Sequence, residues 1–130
     1  MKVIVDKGIK QFAELIPLLY GLDELNIRYL DSFEITKDSL DDTEVLLIRS
    51  TTKINSDLLH NSAIKFIGSA TAGFDHIDAK YLDQNDISWC YSPGCNSSSV
   101  VHYVMSSIGY LIVSNSVSYT HLTLPTIYSV

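Results

Sequence analysis

The sequence contains no G-x-G-x-x-G and no G-x-x-x-x-G-K-[ST], so neither a dinucleotide-binding loop nor a P-loop can be read in it. It has no uninterrupted apolar run long enough to span a bilayer. Basic residues are scarce. Nine Lys and Arg stand against fifteen Asp and Glu, a formal charge of −6, which argues against a general affinity for nucleic acid or an anionic membrane. There are only two cysteines, Cys90 and Cys95 in "CYSPGC", a spacing that matches no strong metal pattern and lacks a second pair. They read as reduced structural thiols in a cytosolic setting, not as a disulfide or a metal site. Neither an internal repeat nor a low-complexity linker is visible. "MKVIVD" enters a strand pattern directly, with no signal-peptide pattern ahead of it.

What is present is an alternation of short apolar runs and amphipathic stretches over 130 residues, one domain at most and long enough to bury roughly two thirds of its unfolded surface. "KVIVD" (2–6), "LNIRYLD" (25–31), "EVLLIR" (44–49), "IKFIGSA" (64–70) and "ISWCYS" (87–92) read as strands. Between them, Ile9, Phe12, Ile16 and Leu19 fall at helical spacing, with Pro17 weakening or bending that helix and Gly21 as a stop. Residues 36–42 read as a helical turn capped by Thr36, and 55–61 as a short helix capped by Asn55. Residues 75–86 read as an amphipathic helix carrying Ile77, Tyr81 and Leu82, and "SSSVVHYVMSSIGYLIV" as a long helix with a serine at its start. Strands alternating with helices imply crossovers and a parallel sheet; five of them imply an α/β, flavodoxin-like doubly wound fold.

Such sheets bind ligands beyond the carboxyl ends of their strands. That rule selects four loops: Asp6-Lys7-Gly8, Arg49-Ser50-Thr51-Thr52-Lys53, Ser69 to Phe74, and Ser92-Pro93-Gly94-Cys95-Asn96. They offer hydroxyls, a guanidinium, an ammonium and glycines, and each leads toward a helix N-terminus, where orphan N–H donors favour an anion. Taken singly, these serines, threonines and glycines would be caps and turns. Taken together on one sheet edge, they point to a small polar metabolite carrying phosphate or carboxylate. His76 in "GFDHID" is a candidate acid–base group, although a polar residue in a helix's first turn is more often structural or capping. His60, His102 and His121 form no spacing with chemical meaning. Asp6 ends the first strand as a phospho-acceptor would in a receiver domain, but Lys7 and Gly8 follow where an acidic cluster would be needed.

"VLLIRSTTKIN", "IKFIGSATAGFDHID" and "SPGCNSSSVVHYV" resemble, in order and in register from Met1 to about Val113, the erythronate-4-phosphate dehydrogenases, a branch of the D-2-hydroxyacid dehydrogenase superfamily. "RS-x-TK" with "ATAG-x-DH-x-D" marks the branch; "PGCN-x-x-x-V-x-x-YV" marks only the wider superfamily. The resemblance implies an NAD-dependent 4-phosphoerythronate dehydrogenase of pyridoxal phosphate (vitamin B6) biosynthesis, cytoplasmic and homodimeric. Its substrate is a small phosphorylated hydroxy acid, with no nucleic-acid or membrane partner. The alternatives are another D-2-hydroxyacid dehydrogenase, or a standalone anion-binding or receiver-like module. The family's substrate-binding serine and threonine fall on Ser50 and Thr71. "DKG" departs from the usual "DEN"-like start, and His102 stands where glutamate is usual before "YV". The resemblance implies that residues 1–96 are the N-terminal part of a substrate-binding domain and 97–115 an interdomain helix. The Rossmann domain, the cofactor-binding residues and the catalytic Arg, Glu and His would lie beyond the chain. No catalytic, cofactor-binding or metal residue is therefore assigned within it, and the chain alone is expected to be inactive. A helix apolar around so much of its girth expects protein on several sides, so the chain alone is expected to self-associate.

Residues 116–130 read differently. Val117 to Thr126 back-translate as GTC TCT TAT ACA CAT CTG ACG CTG CCG ACG, the mosaic end and adapter of transposase-based sequencing libraries. Ser116 and Ile127 fit its flanks, and Val130 fits the GTG that precedes an in-frame stop after the barcode. On this reading the native sequence runs to Asn115, and the tail is expected to be disordered.

Overall fold

The computed structural model describes residues 1–15 and 25–116, with the side chains of Phe12 and Ser116 left aside. The helix expectations on Ile16, Pro17, Leu19 and Gly21, the adapter reading of residues 117–130 and His121 lie outside the described residues. The chain separates into two compact units, Met1–Pro93 and the residues from Gly94 on.

The first unit is a five-stranded parallel sheet: β1 (Lys2–Asp6), β2 (Asn26–Leu30), β3 (Val45–Ile48), β4 (Phe66–Ser69) and β5 (Ser88–Cys90). The strand order is β2-β1-β3-β4-β5. All five strands fall inside the apolar runs expected from the sequence, and the order is the flavodoxin-like one. Alternation along β1 explains the two cores. Ile4 points to one face with Leu46, Ile48, Ile67 and Leu82, while Val3 and Val5 point to the other with Ala13. A sheet covered on both faces needs such near-continuous Val, Ile and Leu runs. Leu46, at the centre of β3, is fully buried. Leu46→Ala is expected to cost about 2–5 kcal/mol, read as a lower urea midpoint with an unchanged slope.

The helices between β3 and β4 and between β4 and β5 are shorter than the sequence implies. Among the described residues the connections hold α1 (Lys10–Ala13), α2 (Ser56–Leu59) and α3 (Ala79–Gln84). Asn55 caps α2 as expected, its Oδ1 accepting from Leu58 N at 3.0 Å. Two expectations are corrected. Thr36 is not a cap: the turn Asp38–Leu40 is a 3-10 helix entered through Lys37, and Ser39 bonds back to Thr36 through its own hydroxyl. The amphipathic helix starts at Ala79, not at Asp75, with Asp78 accepting from Tyr81 N at 3.1 Å. Ile77 is buried as expected, but in a parallel bridge to Ile54 instead of a helical turn.

The second unit contains α4 (Ser97–Ser116), a 20-residue helix. It is entered through Gly94, whose positive φ of 72° suits glycine. The side chains of Val100, Val101, Val104, Met105, Ile108 and Leu111 are all exposed. No helix among the described residues is long and apolar enough to cross a membrane.

Candidate functional site

β1 and β3 are neighbours, yet β2 lies outside β1 and β4 outside β3, so the chain winds in opposite directions from this junction. A crevice opens beyond the strand ends at such a switch point. Val5 pairs with Leu47 and Ile48 with Ser69, so the ends of β1, β3 and β4 stand level. Asp6, Ser50 and Thr71 therefore belong to one edge.

Asp6 is fully buried at the end of β1. Burying a carboxylate costs several kcal/mol unless it is paired and hydrogen-bonded. Oδ1 accepts from Gly8 N at 2.7 Å and from Arg49 Nε at 2.8 Å, across the switch point. A β-carbon on Gly8 would run into Arg49 Cζ and Nε and lie 2.7 Å from Nη1. Glycine at this position lets the guanidinium lie against the backbone of the first loop. The Arg49 side chain keeps 42% of its surface, whereas Asp6 has none. The pair engages Nε, which orients the planar fork and leaves its terminal nitrogens for an oxyanion. Asp6 thus acts as an anchor for a cation, not as the receiver-like phospho-acceptor weighed from the sequence.

The cations are unequal. Lys7 is tied to Asp31 Oδ2 at 2.7 Å and Glu34 Oε2 at 3.3 Å, and those two bonds raise its pKa. Its ammonium is occupied by these carboxylates beyond β2, whereas Lys53, after β3, is exposed. Ser50 is exposed in the turn after β3, closed by Thr52 N to Arg49 O at 3.3 Å. Thr52 is buried, and its Oγ1 has no protein partner among the described residues.

Beyond β4, Thr71 is half-buried. Its Oγ1 lies 2.7 Å from Ser69 Oγ and 2.7 Å from Gly73 O; Ser69 Oγ lies 2.8 Å from His76 Nε2. Ser92 N donates to Thr71 O at 2.8 Å, which ties this loop to the end of β5. Phe74 packs on Trp89 and Tyr91, with ring centroids 5.5 and 5.0 Å apart. Gly94, Cys95 and Asn96 of the fourth loop belong to the second unit. Both cysteines are free and exposed thiols, so neither serves the core.

The helices that follow the second and third loops have four and six residues, too short to supply the strong N-terminal dipole expected of them. The groups this edge offers to an anion are Arg49, Lys53 and hydroxyls. Sequence reasoning placed Ser69 in the third loop without its role, and missed the anchoring role of Asp6. His60 is exposed, and so is His102 in the second unit.

Partial burial lowers the His76 pKa below the usual imidazole value, opposed by the nearby Asp75 carboxylate. The unfolded chain therefore binds a proton at His76 before the folded one does. The associated stability is complete above about pH 6.5 and is lost as pH falls through the depressed folded value. Urea unfolding across this window should show a smaller pH slope in His76→Gln than in the parent.

The model of the D-isomer specific 2-hydroxyacid dehydrogenase catalytic domain matches residues 4–128. The chain belongs to this family. It is 43% identical over 108 residues to erythronate-4-phosphate dehydrogenase of Pectobacterium carotovorum, covering 83% of this chain and 27% of that protein. It is 42% identical over 111 residues to the enzyme of the same name from Bacteroides thetaiotaomicron, covering 83% of this chain and 30% of the relative. The chain thus spans less than a third of these relatives. Among solved structures, it resembles NAD+-bound 3-phosphoglycerate dehydrogenase of Entamoeba histolytica, with a TM-score of 0.66 at 20% identity over 96% of this chain and 42% of that one. It also resembles D-lactate dehydrogenase of Aquifex aeolicus complexed with NAD and lactic acid: TM-score 0.59, 16% identity, 93% and 39% coverage. At these identities the likeness establishes the fold shared within the 2-hydroxyacid dehydrogenase family.

Proposed function

We propose that this chain forms one wall of the substrate site of an NAD-dependent 4-phosphoerythronate dehydrogenase. The observation that carries the reading is the level edge of β1, β3 and β4, where Asp6-anchored Arg49 stands with Ser50 and Thr71. A phosphorylated hydroxy acid has the matching chemistry: anionic ends for the Arg49 fork and Lys53, and hydroxyls for Ser50 and Thr71. The identity to erythronate-4-phosphate dehydrogenases supports that substrate over other hydroxy acids.

The whole enzyme would oxidise the 2-hydroxyl of 4-phospho-D-erythronate to the ketone of 2-oxo-3-hydroxy-4-phosphobutanoate, a step in pyridoxal phosphate formation, with NAD accepting the hydride. The residues of this chain do not fit a dinucleotide, since no Gly-rich loop follows any of its strands. Their part is to bind and orient the acid; cofactor and catalytic groups would come from the remainder of a longer protein. The 130-residue chain alone is expected to give no NAD reduction.

Recovering the full reading frame that contains this chain and assaying the whole protein tests this. NAD reduction should be fastest, by kcat/KM, with 4-phospho-D-erythronate. A preference for D-lactate or 3-phosphoglycerate would assign another dehydrogenase of the family instead. A full reading frame that reveals no Gly-rich loop after a strand would favour a standalone module.

A further inference from the structure

The contacts around Thr71 fix where each proton sits. Gly73 O can only accept, so the Thr71 hydroxyl proton is donated there, at 2.7 Å. The contact of 2.7 Å between Thr71 Oγ1 and Ser69 Oγ then needs the Ser69 proton. With that proton committed, the 2.8 Å contact of Ser69 Oγ with His76 Nε2 needs a proton on Nε2. The chain runs His76 Nε2–H to Ser69, Ser69 O–H to Thr71, Thr71 O–H to Gly73. Ser69 is buried, which keeps water from competing for its hydroxyl. Half-buried Thr71 has one lone pair left and no proton to give.

We infer that His76 and Ser69 are positioning residues that hold Thr71 Oγ1 as a hydrogen-bond acceptor toward its ligand. Thr71 then recognises a hydroxyl of the hydroxy acid, and it discriminates against phosphate or carboxylate oxygen at that point, because two acceptors cannot bond. The inference rests on the reading that Thr71 lines the substrate site. It divides the labour at the edge: Arg49 and Lys53 take the anionic groups, and Thr71 reads a neutral donor.

Two measurements separate the inference from the reading beneath it. The first is the ring nitrogen signature of His76 in histidine-labelled protein. A proton on Nε2 in the neutral ring is expected; a proton on Nδ1 alone overturns the chain of donors, whatever Thr71 binds. The second uses the whole enzyme with the 2-deoxy and 3-deoxy analogues of 4-phosphoerythronate as competitive inhibitors. Thr71→Val should weaken binding of the parent acid by about 2- to 10-fold and leave unchanged the affinity of the one analogue that lacks the recognised hydroxyl. His76→Gln, which can still donate to Ser69, should preserve that discrimination. His76→Glu, which when ionised can only accept, should lower it. An equal loss for both deoxy analogues in Thr71→Val overturns the acceptor role while leaving Thr71 in the site. No loss for the parent acid overturns the placement of Thr71 itself.

Discussion

Arg49→Ala is expected to destabilise the protein by about 2–4 kcal/mol and, in the whole enzyme, to weaken the acid's binding as well. The stability effect comes from what stays behind. Asp6 is fully buried, so removal of its cation leaves a carboxylate that keeps only the Gly8 N–H on Oδ1. The half-exposed guanidinium places the cost below that of a fully buried pair. Gly8→Ala should reproduce part of the same loss by another route. Its β-carbon occupies the place of Cζ and Nε, and the long Arg49 side chain can swing away, so the ion pair breaks without great backbone strain. Arg49→Lys separates charge from shape: it restores a cation but not the oriented fork, and should recover stability more than binding. Urea denaturation of the three variants checks the order. An Arg49→Ala protein as stable as the parent would show that Asp6 does not depend on this pair.

The second large effect concerns α4. Val100, Val101, Val104, Met105, Ile108 and Leu111 share one broad face of the helix at about 3.6 residues per turn and are 45–63% exposed. Each Val- or Leu-sized side chain left in water forgoes roughly 1.5–3 kcal/mol of burial. Several together rival the total stability of a small domain, about 5–15 kcal/mol. The 130-residue chain should therefore self-associate at tens of micromolar through this helix, and a Val104→Lys, Leu111→Glu double variant should sediment as a smaller species. A monodisperse monomer of the parent chain, with the double variant indistinguishable from it, would contradict the exposed-helix argument.

How much of this was legible in the sequence depended on distance along the chain. The strands were legible because parallel strands covered on both faces must be almost wholly apolar, and "KVIVD" and "VLLI" announce themselves without knowledge of any partner. The Asn55 cap was legible because its acceptor and the Leu58 N–H are three residues apart. The start of α3 was misread: Asp75 and Asp78 are both plausible caps, and the choice is made by Ile54, whose backbone bonds on either side of Ile77 hold it in a bridge, after a turn closed by Ile77 N to Phe74 O at 2.9 Å. The turn at Ser32–Glu34 was readable and passed over, for "DSFE" has the spacing of a capping box and Glu34 Oε2 accepts from Asp31 N at 2.7 Å.

The site followed the same rule. Ser50 and Thr71 could be named from loop position and motif, and the fold places them at the same level on neighbouring strands. The role of Asp6 could not be read, because its partner lies 43 residues away and meets it only when β1 and β3 pair. Ser69 was named in the third loop, but its role was hidden for a different reason. Its side chain falls on a strand among apolar residues, and nothing local reveals that His76 will turn back to it.

The most direct test of the central claim, that this edge holds the substrate, is the steady-state kinetics of Ser50→Ala and Thr71→Ala in the whole enzyme. Each is predicted to lower kcat/KM for 4-phospho-D-erythronate by roughly 0.5–1.5 kcal/mol for a neutral hydrogen bond, and by more where the partner is charged, with thermal unfolding unchanged in Ser50→Ala and still cooperative in Thr71→Ala, which also loses the contacts to Ser69 and Gly73. Parental kcat/KM in both variants, with folding intact, would contradict it.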